Sequence, residues 1–340
     1  MSDALSPRIL CGVRATGRLH LGNYFGAVYP FVSRLAQEPA IEAAYCFVAD
    51  VHTLASPHDP ATLQSHVHSM VLDLLACGVD PEKVTVFSQS SVSETSELAW
   101  VLSALTYVGE LERNPNFKAQ ERAASQGEPV SAGVLNYPIL MAADILGLRA
   151  THVSVGEDQY PHLELARDLA RRFQRRFPAP ESIFVEPQPL STHPVRIPGL
   201  DGSGKMGKSQ ANSLSIDAAP ELIHARIHAV ATTAARPADR SKGTPERCPV
   251  FAYHRHASTS EQCETLAAGC RDGSLGCTEC KSTLERSLSG WLSPLRAKRE
   301  ALAQRPDVAI ETLRRGAVRA REAVRAVRDA VHARVGIERY

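Results

Sequence analysis

The stretch that most constrains this chain is RILCGVRATGRLHLGNYFGAV, residues 8–28. Ile9-Leu10-Cys11-Gly12-Val13 is an apolar run of strand length. A turn follows at Arg14-Ala15-Thr16-Gly17, and His20-Leu21-Gly22-Asn23 then opens a segment with helical apolar spacing. A strand that feeds a glycine-bearing turn and a helix start makes a natural anion site. Backbone N–H groups and the positive end of the helix dipole face the same point there. Gly22 would let a nucleotide come close to the backbone. Taken alone, the stretch reads first as an ordinary strand–turn–helix with an incidental histidine.

The alternation continues. Ala43 to Ala49 reads as a buried second strand running into Asp50-Val51-His52, and Val67, Met70, Val71, Leu74 and Leu75 form a helical stripe closed by Gly78. Val84 to Phe87 is another short strand, Asn136 to Leu148 is apolar apart from Asp144, and Val153-Ser154-Val155 precedes the turn Gly156-Glu157-Asp158-Gln159. A helix follows with Leu165, Ala166, Leu169 and Phe173 on one face. Strands alternating with helices predict an α/β fold with a parallel sheet and right-handed crossovers. Ligands then bind outside the carboxyl ends of the strands, so His20, Asp50 and His52 are expected to look into one crevice. Residues 112–133 are polar with Gly and Ser and read as a surface loop; 178–198 is proline-rich linking structure; beyond about 211 the pattern is helical.

Net charge is +1, so any nucleic-acid surface has to be local. Residues 296–340 hold 12 Lys/Arg against 6 Asp/Glu, with Arg319, Arg321, Arg325 and Arg328 around an apolar stripe of Ala320, Ala323, Val324, Val327 and Val331. That is a solvated helix face or a set of phosphate contacts. No apolar run approaches the roughly 20 residues of a membrane span, and MSDALSPRIL lacks a signal peptide's basic start and apolar core. Eight cysteines in such a chain suggest reduced thiols or metal rather than disulfides, and a cytoplasmic protein.

Far downstream, GLDGSGKMGKS sets Lys205-Met206-Gly207-Lys208-Ser209 in a glycine-flanked loop. Lysines there can neutralise charge on a departing polyphosphate. Paired in this order with His20-Leu21-Gly22-Asn23, the loop resembles the two signature motifs of class I aminoacyl-tRNA synthetases. An aspartate inside an apolar helix is costly unless partnered, so Asp144 is a hydrogen-bond hub or a ligand contact. At the bottom of an apolar pocket it could accept from an indole N–H and reject phenylalanine.

Tyr137-Pro138-Ile139-Leu140-Met141-Ala142-Ala143-Asp144-Ile145-Leu146, followed by Val153-x-Val155-Gly156-Glu157-Asp158-Gln159 and His162 to Asp168, resembles the tryptophanyl-tRNA synthetases. The resembling motifs run from residue 8 to about 215. The resemblance implies a Rossmann-like catalytic domain over 1–210 and an all-helical anticodon-binding domain over 211–340, the last catalytic-domain helix coming either from within 1–210 or from the chain's C-terminal end. It implies a homodimer that joins L-tryptophan to tRNA(Trp) using ATP with Mg²⁺. Asp144 would hold the indole nitrogen, with Tyr137, Met141, His52, Val153 and Val155 shaping the pocket. Gln159 and Tyr137 would hold the α-amino group. Arg14, Ala15, Thr16, Gly22, Asn23, Gly156, Glu157 and Asp158 would line ATP, together with Met206 and Gly207 of the lysine loop. Lys205, Lys208 and Ser209 would hold pyrophosphate. Lys205, Lys208, Thr16, His20 and Asn23 would carry catalysis, with no covalent nucleophile. Against the family pattern, Asn23 ends the tetrad, Gly207 replaces the loop's central serine, Leu10 stands where many members have a pocket aromatic, and Gln120 replaces one of two lysines, leaving Lys118. The nearest alternative substrate is tyrosine, whose enzyme fits this stretch poorly; a non-catalytic paralogue is the other reading.

Cys248, Cys270, Cys277 and Cys280 form C-x21-C-x6-C-x2-C. Spacing alone suits zinc or an iron–sulfur cluster, zinc being commoner. A subset of bacterial tryptophanyl-tRNA synthetases has nearly this spacing and binds a 4Fe–4S cluster, and that resemblance favours the cluster. Cys263 lies between these ligands and is not expected to join them; Cys11, Cys46 and Cys77 read as core.

Overall fold

The computed structural model describes residues 6–38, 40–124, 129–191, 197–200, 206, 212–232 and 241–338. Among them, five parallel strands form one sheet: β1 Arg8–Arg14, β2 Ala43–Ala49, β3 Thr85–Ser88, β4 His152–Ser154 and β5 Gln188–Pro189, in the order β3-β2-β1-β4-β5. From β1 the chain builds outward through β2 and β3, then returns to add β4 and β5 on the other side. The order therefore reverses between β1 and β4, and the crevice at their carboxyl ends is where this topology takes a ligand.

Residues alternate across the sheet because strand side chains point to opposite faces. Ile9, Cys11 and Val13 pack with Cys46, Val48 and Val86 on one face, while Leu10, Tyr45, Phe47 and Phe87 belong to a second core on the other. α1 (Leu21–Asn23) passes through a π-helical turn, Tyr24–Val28, into α2 (Tyr29–Gln37). α3 (Asp50–Thr53) follows β2, and α4 (Pro60–Ala76) is capped by Asp59, whose side chain accepts from Ala61 N. Phe31 of α2 and Met70, Val71 and Leu74 of α4 fill the first core.

The opposite face is covered by α5 (Glu94–Ser103), α8 (Ala132–Gly147) and α9 (Tyr160–Arg176). α6 (Val108–Glu112) follows α5, and the polar segment 112–133 expected as a loop carries α7 (Pro115–Ala124). Its polarity reports solvent exposure; local capping and propensity still make helix. Likewise the proline-rich link contributes β5, an edge strand, where a proline without an N–H is tolerated.

The remaining helices are α10 (Pro220–Ala229), α11 (Pro249–Ala257), α12 (Ser260–Asp272), α13 (Cys277–Ala303) and α14 (Asp307–Val335). α13 packs on α10, α11 and α4, whereas α14 returns to β3, α5 and α8. The arginines of α14 bind that surface. Arg319 donates to Pro81 O and Val84 O, Arg321 to Ser91 O, while Arg325 pairs with Glu94 and Arg328 with Glu97. Arg328 is buried and Arg319 half-buried in these contacts, whereas Arg321 and Arg325 are bonded there and still exposed.

Candidate active site

His20 caps the helix that follows β1, its Nδ1 accepting from Asn23 N at 3.3 Å. A Cβ on Gly22 would lie 3.0 Å from the His20 ring and 3.4 Å from Met206 Cβ, so any side chain there would crowd the His20 ring. Gly22 N donates to Met206 Sδ at 3.3 Å, and Met206 is buried. Leu21 N bonds Leu214 O and Ile216 N bonds Leu19 O, which runs the segment after the lysine loop antiparallel to the tetrad. Leu200 N to Asn212 O closes the loop's base. Backbone hydrogen bonds thus tie two motifs some 185 residues apart in sequence. Lys205, Gly207, Lys208 and Ser209 themselves lie outside the described residues.

Arg14, Ala15 and Thr16 leave the carboxyl end of β1, with Ala15 buried and Thr16 exposed. They line a cavity with Ser56, His58 and His66, and Arg14 donates to Ser56 Oγ. Across the topological switch, β4 delivers Gly156, Glu157 and Asp158; the two acids are exposed, and Gln159 donates to Asp158 Oδ2.

Asp144, on α8, is buried at 5% exposure. His52 Nε2 donates to its Oδ2 at 3.1 Å and Gln89 Nε2 to the same oxygen at 2.7 Å. Gln89 is itself oriented by His52 N, which donates to Gln89 Oε1. Among the described residues, no hydrogen bond ends on Asp144 Oδ1. Burial pushes this carboxyl upward, and the bonds from His52 and Gln89 pull it back. Asp50, by contrast, is a structural acceptor for Ser90 N and Val51 N.

One turn before Asp144 on the same face lies Met141, half-buried, and a further turn back Tyr137. Asn114 Nδ2 donates to His162 Nδ1, so His162 Nε2–H donates to Tyr137 Oη at 2.9 Å. Burial holds His162 neutral, its pKa lowered to about 4. The Tyr137 ring stands edge-on to both His52 and His162. Val153 is buried in the sheet core beside this cluster, and Val155 packs partly buried against it. Gln89 and Asn114 enter the network although nothing in their local sequence marks them, and His162 does so although the resembling stretch that contains it gave it no role.

Cys248, Cys270, Cys277 and Cys280 line one cavity with Phe251 and Leu275, drawn from the start of α11, the end of α12 and the start of α13. All eight cysteines are thiols. Cys263 donates to His254 O and is not part of that lining, and Cys11, Cys46 and Cys77 are buried in the core.

Residues 4–293 match the family of class I tRNA synthetases for tryptophan and tyrosine. The chain is 39% identical over 332 residues to a tryptophan–tRNA ligase of Deinococcus radiodurans, covering 97% of this chain and 98% of that one. It is 37% identical over 317 residues to that of Thermotoga maritima, covering 93% and 94%. The tryptophanyl-tRNA synthetase of Campylobacter jejuni, solved with ADP and tryptophan, superposes with a TM-score of 0.78 at 29% identity, covering 97% of this chain and all of that one. Sheet topology, motif placement and near full-length similarity together make this chain a member of the class I tRNA synthetases for tryptophan and tyrosine.

Proposed function

We propose that the chain is a tryptophan–tRNA ligase that activates L-tryptophan with ATP and transfers it to tRNA(Trp). The observation that carries the choice of amino acid is Asp144. Its Oδ2 is saturated by His52 and Gln89, and Oδ1 is the acceptor for an indole N–H. Met141, Val153 and Val155 provide the apolar walls, and Tyr137, held by His162, and Gln159 receive the α-amino group. A phenol would arrive at the same point with an O–H, but the wider indole is the ring that fits the relatives' chemistry.

ATP sits at the crevice between β1 and β4, against Arg14, Ala15, Thr16, Gly22 and Asn23 on one side and Gly156, Glu157 and Asp158 on the other. The tryptophan carboxylate attacks the α-phosphate in line, and pyrophosphate leaves. Lys205 and Lys208, with Mg²⁺, stabilise the charge on the leaving group. Ser209 would add a hydroxyl there, His20 and Thr16 border the phosphates, and Met206 lies against Gly22 of the tetrad. Residues 1–210 form the catalytic domain, completed by α14, and the rest of 211–340 forms the anticodon-binding domain.

The test is tryptophan-dependent ATP–pyrophosphate exchange with tyrosine as control. Asp144→Asn should lower kcat/KM for tryptophan tenfold to about a hundredfold, the worth of one charge-assisted hydrogen bond. Unchanged exchange in that variant, or equal exchange with tyrosine, would remove Asp144 from the role.

The four-cysteine cavity suits a 4Fe–4S cluster, with zinc as the alternative. Four thiols converge from three helices against Phe251 and Leu275, an apolar surround that such a cluster tolerates. Bound there, it would hold α11, α12 and α13 together. Anaerobically purified protein should contain about four iron per chain by this assignment, and Cys277→Ser should lose iron and weaken tRNA binding; zinc in place of iron would decide for the alternative.

The chain works as a homodimer. Trp100, Tyr107 and Val108, on α5 and at the start of α6, are 79%, 67% and 60% exposed, an apolar group that a partner copy would cover.

A further inference from the structure

α10 and α13 pack side by side, with Ile223, Ile227, Leu284 and Leu288 buried in one core. On the solvent side of that seam, His224 and His228 are four residues apart on α10 and share a helix face. Both address Glu285 of α13. His224 Nδ1 lies 3.0 Å and His228 Nε2 3.1 Å from the same carboxylate oxygen, Oε2. The imidazoles stack with centroids 4.4 Å apart. The three donor atoms all lie within 4.8 Å of one another.

A surface His–Glu pair is ordinarily worth little. Here two stacked rings converge on one carboxylate oxygen, which is more than an isolated pair. A single cation answers the arrangement well. We propose that His224, His228 and Glu285 form a binding site for one divalent transition ion of the zinc type. Two imidazole nitrogens and one carboxylate oxygen bind it, and water takes the fourth position.

The distances support this. Ligand bonds of about 2.1 Å in a tetrahedral site put donor atoms roughly 3.4 Å apart. The two nitrogen–oxygen separations are within a few tenths of an ångström of that value. His224 is 60% exposed at its side chain and can adjust without disturbing the core. The ligands stand on packed helices, and Lys281 Nζ, donating to His228 O at 2.9 Å, holds α13 in register with α10 one turn before Glu285. The nitrogen–oxygen donor set separates this site from the all-sulfur cavity. Its occupant pins α10 to α13, stabilising the folded chain by mass action.

The experiment titrates Co²⁺ alone into the full chain with all cysteines intact, comparing wild type with His224→Ala and Glu285→Gln. Bound metal per chain, the near-ultraviolet thiolate-to-cobalt band and the melting temperature are read together. Wild type should bind one Co²⁺ more than either variant, without added thiolate band, and the variants should lose at least tenfold in affinity at that site together with its melting shift. His224 is exposed, so His224→Ala should keep the wild-type circular dichroism spectrum and melting temperature when metal is absent. Equal stoichiometry and equal melting shifts in all three proteins would overturn the assignment.

Discussion

Single residues in the pocket show how burial is turned to use. His162 accepts from Asn114 and donates to Tyr137, which requires a neutral ring. Its pKa is lowered from 6.5 to about 4 by burial. Below pH 6.5 the unfolded chain binds a proton that the folded chain refuses. This residue's contribution to stability is therefore complete above 6.5 and is lost as pH falls toward 4. At pH 4.5 that loss is about 2 kcal/mol. His162→Gln should flatten this limb, seen as a smaller difference between urea midpoints at pH 7 and pH 4.5 than in wild type; identical differences would contradict it. Asp144 is the complementary case. Its position in an apolar helix was legible, because an aspartate there demands a partner, but Gln89 was not. Gln89 lies 55 residues away in sequence, and only the packing of α8 beside the end of β3 brings the two together.

At the scale of elements, α14 lies hard against β3. A Cβ at Gly316 would sit 1.7 Å from Val86 O, in a strand that cannot yield. Gly316→Ala should cost about 3 kcal/mol or more, whereas Val318→Ala on the exposed face of the same helix should leave the melting temperature nearly unchanged. Equal melting temperatures for the two variants would mean that α14 is not seated on β3. Both readings of the α14 arginines were open in the sequence, since a basic helix face looks the same whether its partners are phosphates or carbonyls. Which one holds depends on the distant acceptors, Ser91 O, Val84 O, Glu94 and Glu97, that the fold sets opposite them. Polar segments mislead in the same way: α7 is helical although its composition reads as a loop.

At the scale of the whole molecule, the exposed aromatic group is pre-ordered. Arg172 lies 4.7 Å from the Tyr107 ring and pairs with Glu110, fixing the start of α6. A rigid apolar surface loses little entropy when a partner copy covers it. Trp100→Glu should convert a dimer, read by light scattering, into a chain of 36.9 kDa while its circular dichroism is retained. A monomeric wild type would overturn the homodimer, and an unchanged dimer in the variant would place the interface elsewhere. Among the described residues, no helix is long and apolar enough to cross a membrane.

The sequence by itself determined the α/β alternation, the two signature motifs and the isolated acid in an apolar helix. Each is a local pattern: strand and helix periods, glycine at a turn, and charge where charge is costly are all written in neighbouring residues. Tertiary structure decided what those patterns meet. Gly22 under Met206, Gln89 on Asp144, His162 behind Tyr137 and Gly316 against Val86 are contacts between segments far apart in the chain. Such pairings follow from how two cores pack on opposite faces of one sheet, and no single stretch of sequence carries that geometry.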